Sequence, residues 1–356
     1  MTTGALNTAH LNTADLTIVG AGPIGLATAI FAAQAGLSAI VLDAGPRDGD
    51  KACGEGLMPG TKPLLDQLGI DPPGHPLEGV VYAQGAHRVE HRFPGPAGRG
   101  VRRTALREAL LREAVDLGVQ VREEKYTSLT QTKDEVSLTT DQGATLTSRY
   151  AIGCDGLHSK VAQDMGVVKA VPRSAKRYGL RQHFFAKPWS SLIEVYYSKD
   201  AEVYITPVSE DTVGVAVLGR KGVNLETAVA GIPELHTRLA GAEPASTLRG
   251  AGPFPHRART QRVGRVLLVG DSGGYVDAIT GEGLRVGFAQ ARAAIEALAI
   301  DTPAGYPKAW KKVTREFRVL TKGLVALASS PLRSSIVPLA HALPGLFGVL
   351  VNRLAR

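Results

Sequence analysis

The stretch 15–43, DLTIVGAGPIGLATAIFAAQAGLSAIVLD, decides the fold. An apolar run leads into Gly20-Ala21-Gly22-Pro23-Ile24-Gly25, small and apolar residues follow, and a second apolar run ends in Asp43. That order reads as a strand, a glycine turn, a helix and a second strand, a β-α-β unit. The first glycine of the GxGxxG permits the tight turn, the second lets a pyrophosphate approach the backbone, and the third lets helix and strand pack closely. The helix N-terminus offers unpaired N–H groups and a positive dipole end to phosphates. Asp43, at the tip of the second strand, stands where a carboxylate accepts hydrogen bonds from a ribose diol. An isolated GxGxxG arises by chance; here strand, helix and acid fall in register, and the chain is expected to bind a dinucleotide.

Working outward, 356 residues with 44% hydrophobic and 21% charged residues describe a globular enzyme of two intertwined domains, neither disordered nor a membrane channel. The two cysteines, Cys53 and Cys154, belong to no CxxC or Cys/His cluster, so no metal or iron–sulfur centre is expected and a reducing, cytoplasmic setting is. The opening MTTGALNTAHLNTA lacks a basic start and an apolar core and reads as a loose tail rather than a secretory signal. The net charge of +8 is concentrated at one end. Nine Lys or Arg and the single acid Glu316 fall in 302–356, and basic and acidic residues balance over the rest. A nucleic-acid binder would spread its basic face over the fold, so no nucleic-acid partner is expected.

Downstream, residues 61–68 suggest a short helix and 79–84 with 87–93 a hairpin. The run TALREALLREAVDLG puts Leu106, Leu110, Leu111, Ala114 and Val115 on one helical face, with Gly118 as its stop. A strand at 119–122 and a meander over 125–150 follow, and YAIGCDG is a buried strand running into glycine. The Tyr- and Val-rich runs between 178 and 219 read as four strands of a separate sheet. A helix around 225–240 then leads back to RVLLVGD. The expectation is an α/β fold: a discontinuous Rossmann-like dinucleotide-binding domain (15–75, 100–175, 258–300), an inserted antiparallel β-sheet substrate domain (76–99, 176–257) and a C-terminal helical tail (301–356).

Two further glycine stretches choose the dinucleotide. GCDGLHSKV (153–161) sits at a strand end, and GDSGGYVDAITGEGLRVGFAQA (270–291) ends another strand and opens a long helix. With these motifs in order, the sequence resembles the FAD-dependent oxidoreductases that include para-hydroxybenzoate hydroxylase-type enzymes, flavin-dependent halogenases and geranylgeranyl reductases. The resemblance covers about residues 15–300. It implies that Gly20, Gly22, Pro23, Gly25 and Asp43 bind the ADP half of FAD. It implies that Arg103 contacts the phosphate and ribityl region, and that Asp155 and Gly156 form the family's DG motif. Gly270 and Asp271 would hold the ribityl chain, and Gly281, Glu282 and Gly283 would face the flavin ring, where a helix N-terminus suits the negative charge of reduced flavin.

KACGEGLMPG (51–60) lies where the family's loop passes the isoalloxazine, and it resembles the Cys-Gly stretch of the geranylgeranyl reductases. Gly54 there lets backbone approach a flat ring. Cys53 is a candidate catalytic thiol or a small apolar filler, and Glu55 a candidate proton donor; Cys154 reads as packing. On the inserted sheet, His183 is a candidate base or a structural histidine. Tyr204 is a further candidate catalytic side chain, and Arg181, Tyr196 and Thr206 are candidate substrate contacts. VYITP resembles the reductases' aromatic segment with Tyr204 at its Trp position and Thr206 at an aromatic one. The halogenase WxWxIP is absent.

These readings favour hydroxylation of a lipophilic aromatic or polyketide-like molecule, with the C4a-hydroperoxide that the family implies. Reduction of isoprenoid or lipid double bonds is the alternative, and a non-catalytic FAD-fold lipid carrier is a third. The resemblance implies NAD(P)H as a transient visitor, or a partner reductase, as electron donor. The basic, apolar tail either lies against the inner face of an anionic membrane or closes the substrate pocket; Pro338, Pro344 and Gly345 break it too often for a spanning helix.

Overall fold

The computed structural model describes residues 12–45, 49–172 and 176–356, so the reading of the first residues as a tail falls almost wholly outside the described residues. Thr13–Val19 and Ala39–Leu42 pair in parallel at the centre of an eight-stranded sheet. Gln120–Arg122 extends it in parallel on one side, and Thr145–Gly153 with Val266–Leu268 on the other. The meander Tyr126–Gln131 and Val136–Thr140 folds back antiparallel onto Thr145–Gly153. Ala39–Leu42 is buried at every position, as a parallel strand covered on both faces must be. Helix Pro23–Gln34 is buried along most of its length, between this sheet and the helices Arg103–Asp116 and Gly283–Ala299. Its many small residues allow that close approach. In Arg103–Asp116 the buried stripe is Leu106, Leu110 and Ala114. Leu111 is half-buried, and Val115, expected on the same face, is 54% exposed because the i, i+4 stripe passes it by.

The inserted sheet has seven strands, in the order Arg249–Phe254, Arg177–Phe185, Thr212–Gly219, Ala201–Pro207, Leu192–Tyr197, Gly79–Gln84, His87–Arg92. All neighbours are antiparallel except Leu192–Tyr197 and Gly79–Gln84, which run parallel because an earlier hairpin of the chain is added at that edge. The strand Arg249–Phe254, not anticipated, completes the other edge; its glycines and proline hide it from any propensity pattern. The single helix expected at 225–240 is two, Leu225–Ala230 and Pro233–Arg238, because Gly231 caps the first and Pro233 opens the second. Both cover the outer face of the sheet through Leu225, Val229 and Leu235 on Val203, Ile205 and Val215.

The inner face, with Val80, Ile193, Val195 and Tyr197, packs against Ile279 and the C-terminal residues Ala328, Ile336, Val337, Phe347 and Val351. Helix Tyr306–Ala328 lies on Gly283–Ala299, burying Tyr306, Trp310 and Phe317. Ile336–Ala342 and Pro344–Leu354 then run along His87–Arg92. There His341 Nδ1 donates to the Arg88 carbonyl (2.8 Å), and His91 Nε2 meets Asn352 Oδ1 (2.8 Å). Among the described residues no single helix is long and apolar enough to cross a membrane.

Candidate active site

The glycine turn at 20–25 is shaped as its spacing requires. Gly20 has φ +104°, and a Cβ there would lie 2.7 Å from the Cys154 carbonyl oxygen. A Cβ at Gly25 would lie 1.8 Å from the Gly20 oxygen. A Cβ at Gly22 would meet only Arg103 Nη2, at 3.6 Å, and so would clash with nothing. The helix begins at Pro23 with no acid in its first turn, so no side chain of that turn neutralises its positive end. Asp43 Oδ2 accepts from Arg107 Nη2 at 3.0 Å, and Arg107 Nε donates to the Ala21 carbonyl at 3.1 Å. Arg107 thus ties the second strand's acid to the turn. It was missed in the sequence, although it lies one helical turn after Arg103 and so on the same face.

The later motifs come near the same turn, since Arg103 beside Gly22 also acts on Asp271. Asp271 follows the strand Val266–Leu268 and accepts no side-chain hydrogen bond from a described residue; burial raises its carboxyl to about 6, against the pull of Arg103 and Lys51. Asp155 holds the start of Lys160–Asp164 through Val161 N–H (3.1 Å), while its Oδ1 is buried without a partner; burial raises its pKa too. Gly156 and Gly281 have φ +79° and +70°, and neither has a neighbour within 4 Å of a built Cβ. Glu282 immediately precedes Gly283–Ala299. Burial raises it to about 7 although Arg285 pairs with it, and its Oε1 is unpartnered. Gly283 approaches Tyr275, whose own pKa burial drives far up with Asp271, Asp277 and Cys53 acting in the same sense.

The 51–60 loop joins the two sheets. Gly56–Leu57 pairs with Gly98–Gly100, and a Cβ at Gly100 would lie 1.7 Å from the Pro207 oxygen of the inserted sheet. Gly54, by contrast, has nothing within 4 Å of a built Cβ. Glu55 has φ +59°, a left-handed conformation unfavourable to a side-chain-bearing residue and maintained only where the surroundings demand it. They do. Its carbonyl accepts from Val101 N–H (2.8 Å), its Oε1 from Arg103 N–H (2.8 Å), and its Oε2 pairs with His183 Nε2. Glu55 and His183 are both almost wholly buried. Arg181 Nη1 lies 3.1 Å and Ser246 Oγ 2.9 Å from His183 Nδ1, so both ring nitrogens of His183 are engaged. Arg181 is itself held by Asp50, the Lys51 carbonyl (2.9 Å) and Ser246 Oγ (3.3 Å), and Asp50 also accepts from Arg249 (3.2 Å). Cys53 Sγ accepts from Glu55 N–H at 3.4 Å; burial pushes its thiol up, with Arg103 pulling the other way. Cys154 sits just past its strand against Thr28 Oγ1 (3.7 Å), its thiol raised by burial to about 12.

The family model for the FAD binding domain matches residues 13–302. The chain belongs to that family. It is an FAD-dependent oxidoreductase of the para-hydroxybenzoate hydroxylase-like superfamily, an enzyme with FAD as its cofactor. Menaquinone reductases of Mycolicibacterium smegmatis and Mycobacterium tuberculosis are 28% and 27% identical, covering 85% and 81% of this chain and 80% and 77% of theirs. A ubiquinone hydroxylase of Rhodospirillum rubrum is 26% identical over 46% of this chain and 42% of its own. In fold, the chain is similar to a flavoprotein/dehydrogenase from Cytophaga hutchinsonii (TM-score 0.84, 17% identity, 96% of this chain and 92% of the other). It is also similar to the flavin-dependent brominase Bmp2 (TM-score 0.75, 20% identity, 96% and 93%).

The groove of this flavoprotein suits FAD on its own evidence. A glycine at 22 whose Cβ would meet only Arg103, a helix end with no acid in its first turn, and buried oxygens at Asp155 and Glu282 without hydrogen-bond partners among the described residues are what a dinucleotide with a polyhydroxy linker would satisfy. Beyond it lies the inner face of the inserted sheet. Tyr204 faces inward, its hydroxyl donating to the Ile279 carbonyl at 3.1 Å. Thr206 points the same way, toward Gly100. Tyr196, expected as a substrate contact, lies on the opposite face. It pairs across from Val203 and its hydroxyl donates to Glu194 Oε2 at 2.7 Å, so alternation puts Tyr197 inward in its place. Arg181, also expected at the substrate, is 1% exposed and engaged with Asp50, Ser246 and His183.

Proposed function

We propose that this flavoenzyme reduces a carbon–carbon double bond in a lipophilic, isoprenoid-bearing molecule such as a polyprenyl quinone. The observation that carries the reading is the buried Glu55–His183 pair beside Cys53. Bound FAD supplies two-electron redox chemistry. Saturating a double bond also consumes a proton, and this chain holds protons where the 51–60 loop meets the inserted sheet. The raised Cys53 thiol keeps its proton, and the Glu55 N–H that donates to its sulfur places it beside the Glu55–His183 pair. In this reading Gly20, Gly22, Gly25, Asp43, Arg103, Asp155 and Asp271 bind the cofactor, and 281–283 faces its ring. Val195, Tyr197, Tyr204 and Phe347 offer an apolar wall for the substrate. The names of the menaquinone reductases support the substrate class, since a menaquinone carries a polyprenyl chain on a quinone ring.

Hydroxylation of a lipophilic ring, which the sequence favours, is the second reading. The ubiquinone hydroxylase relative supports it, and the same Glu55–His183 pair would then take up a phenolic proton.

The test is anaerobic incubation of the dithionite-reduced holoenzyme with a polyprenyl quinone, which makes either NAD(P)H or a partner reductase unnecessary. Product heavier by two hydrogens in its side chain supports reduction. An unchanged side chain, with a ring oxygen gained only when air is admitted, overturns it. Glu55→Gln should lower turnover by about 10²-fold or more with flavin content unchanged.

A further inference from the structure

Helix Pro344–Leu354 is apolar on two faces. The inner one, Phe347, Gly348 and Val351, is buried on the inserted sheet, with a Cβ at Gly348 only 2.7 Å from the His91 ring and Phe347 5.0 Å from Tyr82. The outer one carries Leu346, Val349 and Leu350, 57%, 55% and 43% exposed, followed by Arg353, at the i, i+3, i+4, i+7 spacing of a single stripe. A helix resting on a globular protein ordinarily turns polar side chains outward. Leu339 and Leu343, just before it, are exposed as well.

Beside this ridge runs a cationic stripe. Helix Tyr306–Ala328 exposes Lys308, Lys311, Lys312, Arg315 and Lys322 on one side, with Glu316 as its one acid. The two helices meet there, since Lys312, Arg315, Val319 and Arg353 border one surface depression. We propose that the outer face of Pro344–Leu354 and the cationic stripe of Tyr306–Ala328 together form a docking surface for an anionic lipid bilayer.

Charge decides between occupants. A second copy of the chain would set like charges against each other, whereas anionic headgroups neutralise the lysines while Leu346, Val349 and Leu350 enter the acyl boundary. The helices would lie in the plane of the surface. The inner side of the same helix packs into the apolar cluster that also holds Ile279 and Tyr197. The docking surface stands whichever reaction the flavin runs.

FAD-loaded protein is floated with vesicles of phosphatidylcholine alone or mixed with phosphatidylglycerol. Binding to the anionic vesicles, weakened by salt, is expected. The pair Leu346→Asp with Leu350→Asp, and separately Lys311→Glu with Lys312→Glu and Arg315→Glu, should each reduce it at least about tenfold with flavin absorbance unchanged. Wild-type protein that stays off anionic vesicles overturns the proposal, as does charge-reversed protein that binds like wild type. Self-association abolished by the leucine substitutions, without vesicle binding, overturns it in favour of a second copy. Should the leucine variants lose their flavin, the charge reversal and the salt dependence still decide.

Discussion

A methyl group added at Gly25 would collide with the Gly20 carbonyl, whereas one at Gly22 would enter the space left for a ligand. Gly25→Ala is therefore expected to lower the melting temperature and yield colourless protein. Gly22→Ala should fold with the melting temperature of the wild-type apoprotein and bind FAD at least about tenfold more weakly, by titration. Equal loss of stability in both would contradict the division of labour between the two glycines. Glu282 makes a second prediction. Its folded pKa, about 7, lies above its ordinary 4.5, so the folded state holds the proton more tightly than the unfolded chain. The contribution is favourable at low pH and is lost as pH rises from about 4.5 through 7. In flavin-free protein Glu282→Gln should flatten the decline of melting temperature across that window; an unchanged profile would contradict the assignment. The glycine turns and the acids that follow strand ends were legible as motifs, because their spacing from those ends is local. Arg107, Asp50 and Ser246 were not, because their partners Asp43, Arg181 and His183 lie 63 to 131 residues away.

The inserted sheet and the C-terminal helices share one buried ionic cluster. Glu202, with 0% of its surface exposed, accepts from Arg177 and from Arg333, and Arg177 also donates to Asp277 at 3.1 Å. Arg333 reaches the Ser198 carbonyl at 2.9 Å and so pins the turn after Tyr306–Ala328 to the sheet. Glu202→Ala would leave two guanidinium groups without their buried carboxylate, a loss of about 3–5 kcal/mol. Denaturant unfolding should show that loss, and limited proteolysis should cut between 329 and 335. An uncut, equally stable variant would mean that the cluster does not hold the tail. At this scale alternation and helical period located most strands and helices. They did not give the parity that separates Tyr196 from Tyr197, because both are equally apolar and aromatic and only pairing with Val203 and Glu202 decides which faces inward.

Across the whole molecule, chain order was readable and mutual placement was not. Three glycine turns at strand ends announce a single parallel sheet, and parallel strands bring those ends to one edge. Nothing local announces that Glu55 reaches across to His183, or that the Gly60 N–H donates to the Ala355 carbonyl near the other end of the chain (2.8 Å). In the proposed reading FAD runs from Asp43 past Gly22, Arg103 and Asp271 to the 281–283 loop, with the Glu55–His183 pair at the ring end. A crystal structure of the FAD-loaded enzyme tests it most directly. Density should place the adenosine ribose at Asp43, the pyrophosphate at Gly22 and Arg103, and the ring between residues 281–283 and the 51–56 loop. Flavin seated elsewhere, or a ring remote from Cys53 and Glu55, would contradict it.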